Sequence, residues 1–187
     1  MSTSLLQQFV TALNAGGLAA LPSSEVPADL RLGGPDADDF CKWQIRPNDA
    51  APWIAEFETR LPVPLPPSFQ EFVSTYRFAE FEADPIMFFA NTGEEVHHEL
   101  VHVVFRDKIM SKRLLDEGYI QFGREAGGGY DPVCFDTNTM GWDGEYAVVR
   151  IDHEDMLTNS KVTVRQKLAD SFAEFMQQHL ARVGVSV

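Results

Sequence analysis

Tyr119-Ile120-Gln121-Phe122-Gly123-Arg124-Glu125, followed after Ala126 by Gly127-Gly128-Gly129-Tyr130-Asp131-Pro132-Val133-Cys134-Phe135-Asp136, decides the fold class. Two short apolar runs, Tyr119 to Gly123 and Pro132 to Asp136, flank a glycine run that suits only a tight connection. Strands joined in this way pair as an antiparallel hairpin. A third strand-like run, Tyr146 to Asp152, follows a second turn-rich connector, Met140-Gly141-Trp142-Asp143-Gly144. Phe122, Val133, Phe135, Val148 and Ile151 are expected to alternate into a core, with the glycines permitting the tight loops.

Upstream of the hairpin, Ile86-Met87-Phe88-Phe89-Ala90 reads as a short buried strand closed by Asn91-Thr92-Gly93. Residues 95–116 read as mainly helical with a break near Asp107, a suitable N-cap for Lys108 to Asp116, and Gly118 as the stop. Further upstream, a helix starts at Pro67 and places Phe69, Phe72, Val73 and Tyr76 at i, i+3, i+4 and i+7, a core-facing stripe. Another runs from Ala51 to Arg60, and the proline-rich Leu61 to Pro67 separates the two. Ser4 to Asn14 forms an amphipathic helix, and residues 21–39, rich in Pro, Gly and Asp, read as a surface connection. The last element is expected to be a helix from about Arg165 to Arg182, with Leu168, Phe172, Phe175, Met176, Leu180 and Val183 on one side. Helices, then strands, then a closing helix define an α+β fold, a mostly antiparallel sheet with helices packed on it.

Composition sets limits on function. The 187 residues suit one domain, with 44% apolar and 23% charged residues, as in ordinary globular chains. No apolar run reaches the roughly 20 residues needed to cross a bilayer, and Met1 to Gln7 lacks a basic segment, which argues against a secretory signal. With only Cys41 and Cys134, no disulfide framework is available, and a cytoplasmic setting is expected. The net charge of −13 repels phosphate backbones and anionic membranes, so neither nucleic acid nor membrane is an expected partner. Residues 51–100 carry nine acids against two bases, Arg60 and Arg77. Such a bias suits either a solvated surface or a docking face for a basic partner.

Several local patterns imitate catalytic motifs. His98-Glu99-Leu100-Val101-His102 is a literal H-E-x-x-H, which on a helix puts two imidazoles on one face to chelate zinc. The residues that follow supply no third ligand, and neither Glu117 nor Glu125 sits in a partner motif. Asp136-Thr137-Asn138-Thr139-Met140-Gly141 opens like a calcium loop but has Met140 where an oxygen ligand belongs and Ala147 at the twelfth position. His153-Glu154-Asp155 reads as a small acid-base cluster or as a polar exit from a strand. The chain has no G-x-S-x-G elbow, no C-x-x-C and no phosphate loop. No metal, cofactor or catalytic residue is expected.

Four segments, in order, resemble the SUKH superfamily, the Smi/Knr-like group. They are Leu65-Pro66-Pro67-Ser68-Phe69-Gln70-Glu71-Phe72, the hairpin Tyr119 to Asp136, Val148-Val149-Arg150-Ile151-Asp152-His153-Glu154, and Ala169-Asp170-Ser171-Phe172-Ala173-Glu174-Phe175-Met176. The resemblance covers about residues 50–183 and implies a SUKH-like domain over 50–187, preceded by an N-terminal helix and extension over 1–49. The family's usual Gly-Asp pair is split here by Tyr130, between Gly129 and Asp131. Pro66, Phe69, Phe72, Phe122, Gly123, Gly129, Asp131, Asp136, Ser171, Phe172 and Phe175 fall on the shared motifs as builders of the scaffold. Asp131 and Asp136 are expected to bond to neighbouring backbone amides.

The resemblance implies function by binding: an immunity protein that sequesters a cognate protein toxin, for instance a basic nuclease. A regulatory scaffold in the cytoplasm and, further off, a zinc-dependent hydrolase using His98, Glu99 and His102 are the alternatives. For a basic toxin, the expected contact acids are Glu80, Glu82, Asp84, Glu94 and Glu95, which flank the strand at 86–90.

Overall fold

Ser4 caps the first helix, its hydroxyl accepting from the Gln7 amide at 3.2 Å, and α1 (Leu5–Gly16) then buries Leu6, Phe9, Val10 and Leu13. The computed structural model describes residues 4–48, 51–92, 99–106 and 110–185. Within it, β1 (Leu21–Pro22) pairs with β2 (Phe40–Cys41). The segment expected as a surface connection contributes to the interior as well, because Val26 and Leu30 turn inward from two short 3-10 turns. The strand β3 (Arg46–Pro47) leads to α2 (Pro52–Thr59) and α3 (Pro67–Thr75), each starting on a proline whose fixed φ suits a first turn. The stripe Phe69, Phe72 and Val73 is buried as expected; Tyr76 ends the helix and opens β4 (Tyr76–Arg77), which pairs with β3.

The main sheet is an antiparallel meander. Among the described residues its strands are β5 (Phe81–Ala83), β6 (Ile86–Phe88), β7 (Tyr119–Glu125), β8 (Pro132–Asp136), β9 (Ala147–Ile151) and β10 (Val164–Ala169), adjacent in that order. Between β6 and β7 lie α4 (Leu100–Arg106) and α5 (Met110–Asp116); α6 (His153–Asn159) joins β9 to β10, and α7 (Phe172–Arg182) closes the chain. The fold is therefore α+β, with helices on the sheet as the sequence indicates.

Both faces of the sheet are covered. Ile120, Phe122, Val133, Phe135 and Val148 face an aromatic core built with Phe9, Phe69, Phe72, Phe172 and Phe175. Phe122 stacks on Phe135 at 4.1 Å, and Phe72 on Phe78 at 4.7 Å. Cys134, Ala147, Val149 and Ile151 face the other way, against Leu114 of α5 and Met156 of α6. Ile151 thus departs from the expected set. It stands three residues after Val148, and a period of two sends residues an odd distance apart to opposite faces.

The C-terminal element also differs from expectation. Residues 164–169 have helix-forming composition, yet they form an edge strand on β9, and the helix starts only at Phe172. Pairing with an existing sheet overrides a weak local preference. The start signal is local: Ser171 Oγ accepts from the Glu174 amide at 3.0 Å, and the Glu174 carboxylate reaches back to the Asp170 amide.

Candidate functional site

The register brings several loops to one end of the sheet. Ile86 lies opposite Glu125, Arg124 opposite Pro132, Val133 opposite Arg150, and Arg150 opposite Gln166. The β5–β6 turn, the 126–131 loop, the exit of β9 and the start of β10 therefore converge. At their centre is Asp131, fully buried just before β8. Its Oδ1 accepts from the His153 amide at 3.2 Å and lies 2.7 Å from His153 Nδ1. Its Oδ2 accepts from Arg165 at 2.8 Å and lies 3.8 Å from Arg150 Nε. Arg150 also pairs with Glu125 and donates to Gln166 Oε1 at 3.0 Å.

Burial pushes the Asp131 carboxyl up, but hydrogen bonds from His153 and Arg165 outweigh it and hold the group below the usual carboxylate range. The same contact raises Arg165. An ionised carboxylate only accepts, so the His153 proton facing it sits on Nδ1. The Asp131 oxygens are thus occupied by the chain's own donors, and the cluster ties the 126–131 loop to the start of α6 and to β10. Asp136 bonds as expected to a neighbouring amide, that of Asn138 at 3.1 Å, whereas Asp131 instead reaches partners 22 and 34 residues away.

Other family-motif residues have local physical roles. Pro66 is buried and precedes α3. A Cβ at Gly123 would lie 2.6 Å from the Met87 carbonyl oxygen and 2.9 Å from Ile86 Cγ2, so only glycine lets β6 approach β7 there. A Cβ at Gly129 would meet the Glu125 side chain at 2.3 Å. The calcium-like segment is a 3-10 turn, Thr137–Thr139, capped by Asp136.

Three of the five expected contact acids lie at this same end of the sheet. Glu80 accepts from Arg124 at 3.0 Å and its side chain is only 15% exposed. Glu82 is exposed, with the Gly127 amide 3.4 Å from its Oε2. Asp84 is exposed and lies 3.8 Å from the Arg182 guanidinium, which also donates to the Asp84 carbonyl. Glu94 and Glu95 lie outside the described residues.

The H-E-x-x-H segment does not lie on one helix. Glu99 forms a β-bridge with Ala90, and α4 starts only at Leu100. Glu99 is buried, its Oε2 accepting from the Val101 amide at 2.8 Å, while His102 is exposed. His98 is outside the described residues. Among the described residues no three His, Cys, Asp or Glu side chains gather as a metal site, and no helix is long and apolar enough to cross a membrane. Both cysteines are free and buried, and burial pushes the Cys134 thiol up.

What sequence reasoning missed is the convergence of Arg150, His153 and Arg165 on Asp131. The one available signal was the residue pair Asp152 and Asp155, an N-cap pattern that starts α6 at His153 and aims its amide at Asp131.

A meander sheet with helices on both faces and a salt-bridged end defines an α+β architecture. The family model of the SMI1 / KNR4 family (SUKH-1) matches residues 51–178, and the chain belongs to that family. The match starts beside α2 and ends within α7, so α1 and β1–β3 lie outside it, although Phe9 shares the core of the matched part. No individual curated protein matches the chain.

Proposed function

We propose that the protein is a non-enzymatic binding module that acts in the cytoplasm as an immunity protein, neutralising a cognate protein toxin by sequestration, with a basic nuclease as the partner that suits its charge. The observation that carries this reading is where the charge resides. Arg124, Arg150, Arg165, Lys167 and Arg182 are engaged with carboxylates of the chain itself. The excess of −13 is therefore left to acids such as Glu56, Glu71 and Asp143, which stand in solvent. A preformed negative surface steers a basic partner in and covers the groups with which it would hold phosphate. Membership of the SUKH-1 family supports the same reading.

The experiment is co-expression with the C-terminal domain of any large secreted protein that an adjoining gene encodes, together with calorimetry on the purified pair. A stoichiometric complex and restored growth are expected. Absence of both would overturn the proposal.

A further inference from the structure

At the opposite end of the sheet from Asp131, the connector between β8 and β9 carries the one tryptophan that is fully exposed: Trp142 is 100% and its neighbour Met140 63% accessible. The loop is not loose. The Gly141 amide donates to the Glu145 carbonyl at 2.8 Å, and Gly144 to the Gly141 carbonyl at 3.1 Å. Below it, the Glu145 carboxylate accepts from the Ser68 amide at 2.8 Å and from the Ser68 hydroxyl at 2.7 Å, and Tyr146 donates to the Pro64 carbonyl at 3.1 Å. The loop is thereby fastened to the start of α3, and Gly144 lies beside Pro67.

Pro67 is also a wall of the open groove between α2 and α3, about 370 Å³, with Ile54 and Ala55 as apolar lining and Glu58 and Glu71 among its polar groups. The loop that carries the indole and the groove therefore meet at Pro67. The segments 51–59, 67–75 and 140–145, which build this surface, hold the acids Glu56, Glu58, Glu71, Asp143 and Glu145 and not one Lys or Arg. Neutral donors satisfy Glu58 and Glu145, so their charge is not cancelled. An exposed aromatic anchor on a fastened loop, beside an open groove of mixed polarity whose charges have a single sign, suits a basic protein partner.

We propose that Trp142 and the groove between α2 and α3 form one docking surface for a basic protein partner. The indole packs against apolar side chains of the partner, while its lysine or arginine side chains lie along the groove. The assignment deepens the binding reading above and rests on it for the partner being a protein. Charge complementarity selects a basic partner over a second copy of this chain, which would bring like charges together.

The test uses a defined probe, a synthetic 14-residue amphipathic peptide of leucine and lysine, and the same C-terminal domain as toxin in a parallel arm. Trp142→Ala should keep the wild-type melting temperature and weaken the peptide about 30-fold, the usual loss at a hot spot. The double reversal Glu56→Lys with Glu71→Lys should weaken it about tenfold. The same charge change at exposed acids just past α5 and on α6, on the other face of the sheet, Glu117→Lys with Glu154→Lys, should alter it less than about twofold. Equal losses in the two double reversals would show that net charge alone acts, and would overturn the proposal, as would an unchanged affinity in Trp142→Ala. Sedimentation of the free protein should show a monomer; a dimer abolished by Trp142→Ala would make the occupant a second copy and also overturn it. In the toxin arm, neutralisation by Trp142→Ala equal to wild type refutes this surface and leaves the immunity reading standing. A wild type that does not bind the toxin refutes that reading, and the peptide series still decides the surface.

Discussion

Asp131 at the start of β8 and Arg165 near the start of β10 stand 34 residues apart in the chain and 2.8 Å apart in the fold. Their contact passes over β9, whose Arg150 joins the same carboxylate at 3.8 Å. One buried charge thus ties the hairpin loop, the edge strand β10 and its neighbour β9. Because the carboxylate is wholly buried while Arg165 remains half exposed, removing the acid and removing the base have unequal consequences.

Asp131→Ala should cost about 3 kcal/mol at pH 7, since it leaves His153 and Arg165 without their shared acceptor and Arg150 without a nearby counter-charge. The folded-state carboxyl lies below its unfolded value, so its stabilisation is complete above about pH 4 and is lost as pH falls through the folded pKa. Urea denaturation of wild type and Asp131→Asn between pH 7 and pH 3 checks the sign. The gap between the two should narrow below about pH 4; a constant gap would mean that Asp131 is not ionised in the folded protein.

Phe72 lies between α3 and the sheet, within ring contact of Phe9, Phe78, Phe88 and Phe172. Phe72→Ala should destabilise by about 3–5 kcal/mol. Phe9→Ala should fall in the same range, although Phe9 lies outside the family match, because both rings are completely buried in one core. Denaturation midpoints read this directly, and a small effect at Phe9 alone would make α1 an appendage.

Gly123→Ala should cost about 1–3 kcal/mol although it adds a single methyl group, since the methyl meets backbone of β6 rather than a yielding side chain. The substitution Gly127→Ala is the comparison for space: nothing lies within 4 Å of its added methyl, and its cost comes only from a positive φ of 68°. Protection of the Met87 and Phe88 amides against hydrogen exchange should fall in Gly123→Ala and stay unchanged in Gly127→Ala.

Glu80 and Glu82 separate stability from steering. Glu80→Gln should cost about 1–2 kcal/mol by releasing Arg124 in a half-buried setting, whereas Glu82→Gln and Asp84→Asn should stay within about 0.5 kcal/mol. If the exposed acids steer a basic toxin, Glu82→Lys with Asp84→Lys should slow association at low salt. The slowing should fade as the Debye length contracts toward about 8 Å. Stopped-flow rates at several salt concentrations check this, and a salt-independent wild-type rate would count against steering.

Much of the architecture was legible in the sequence because it depends on neighbours. Proline at a helix start, the Phe69–Phe72–Val73 stripe, the glycine-rich hairpin and the helix ending at Arg182 are local patterns, and the fold follows them. Residues 164–169 did not reveal themselves, since Arg165, Gln166, Lys167, Leu168 and Ala169 suit a helix as well as an exposed edge. Only β9, already in the sheet, decided between the two.

The candidate sites divide along the same line. Sequence alone determined the excess of acid, the lack of a complete metal motif and the family resemblance, because composition and spacing are properties of the chain. Tertiary structure decided which charges are free. It paired Glu80 with Arg124 and Asp131 with Arg165, left Trp142 in solvent on an anchored loop, and set that loop beside the acidic groove of α2 and α3. A salt bridge forms only where folding removes two distant groups from water together, and no reading along one strand of text contains that distance.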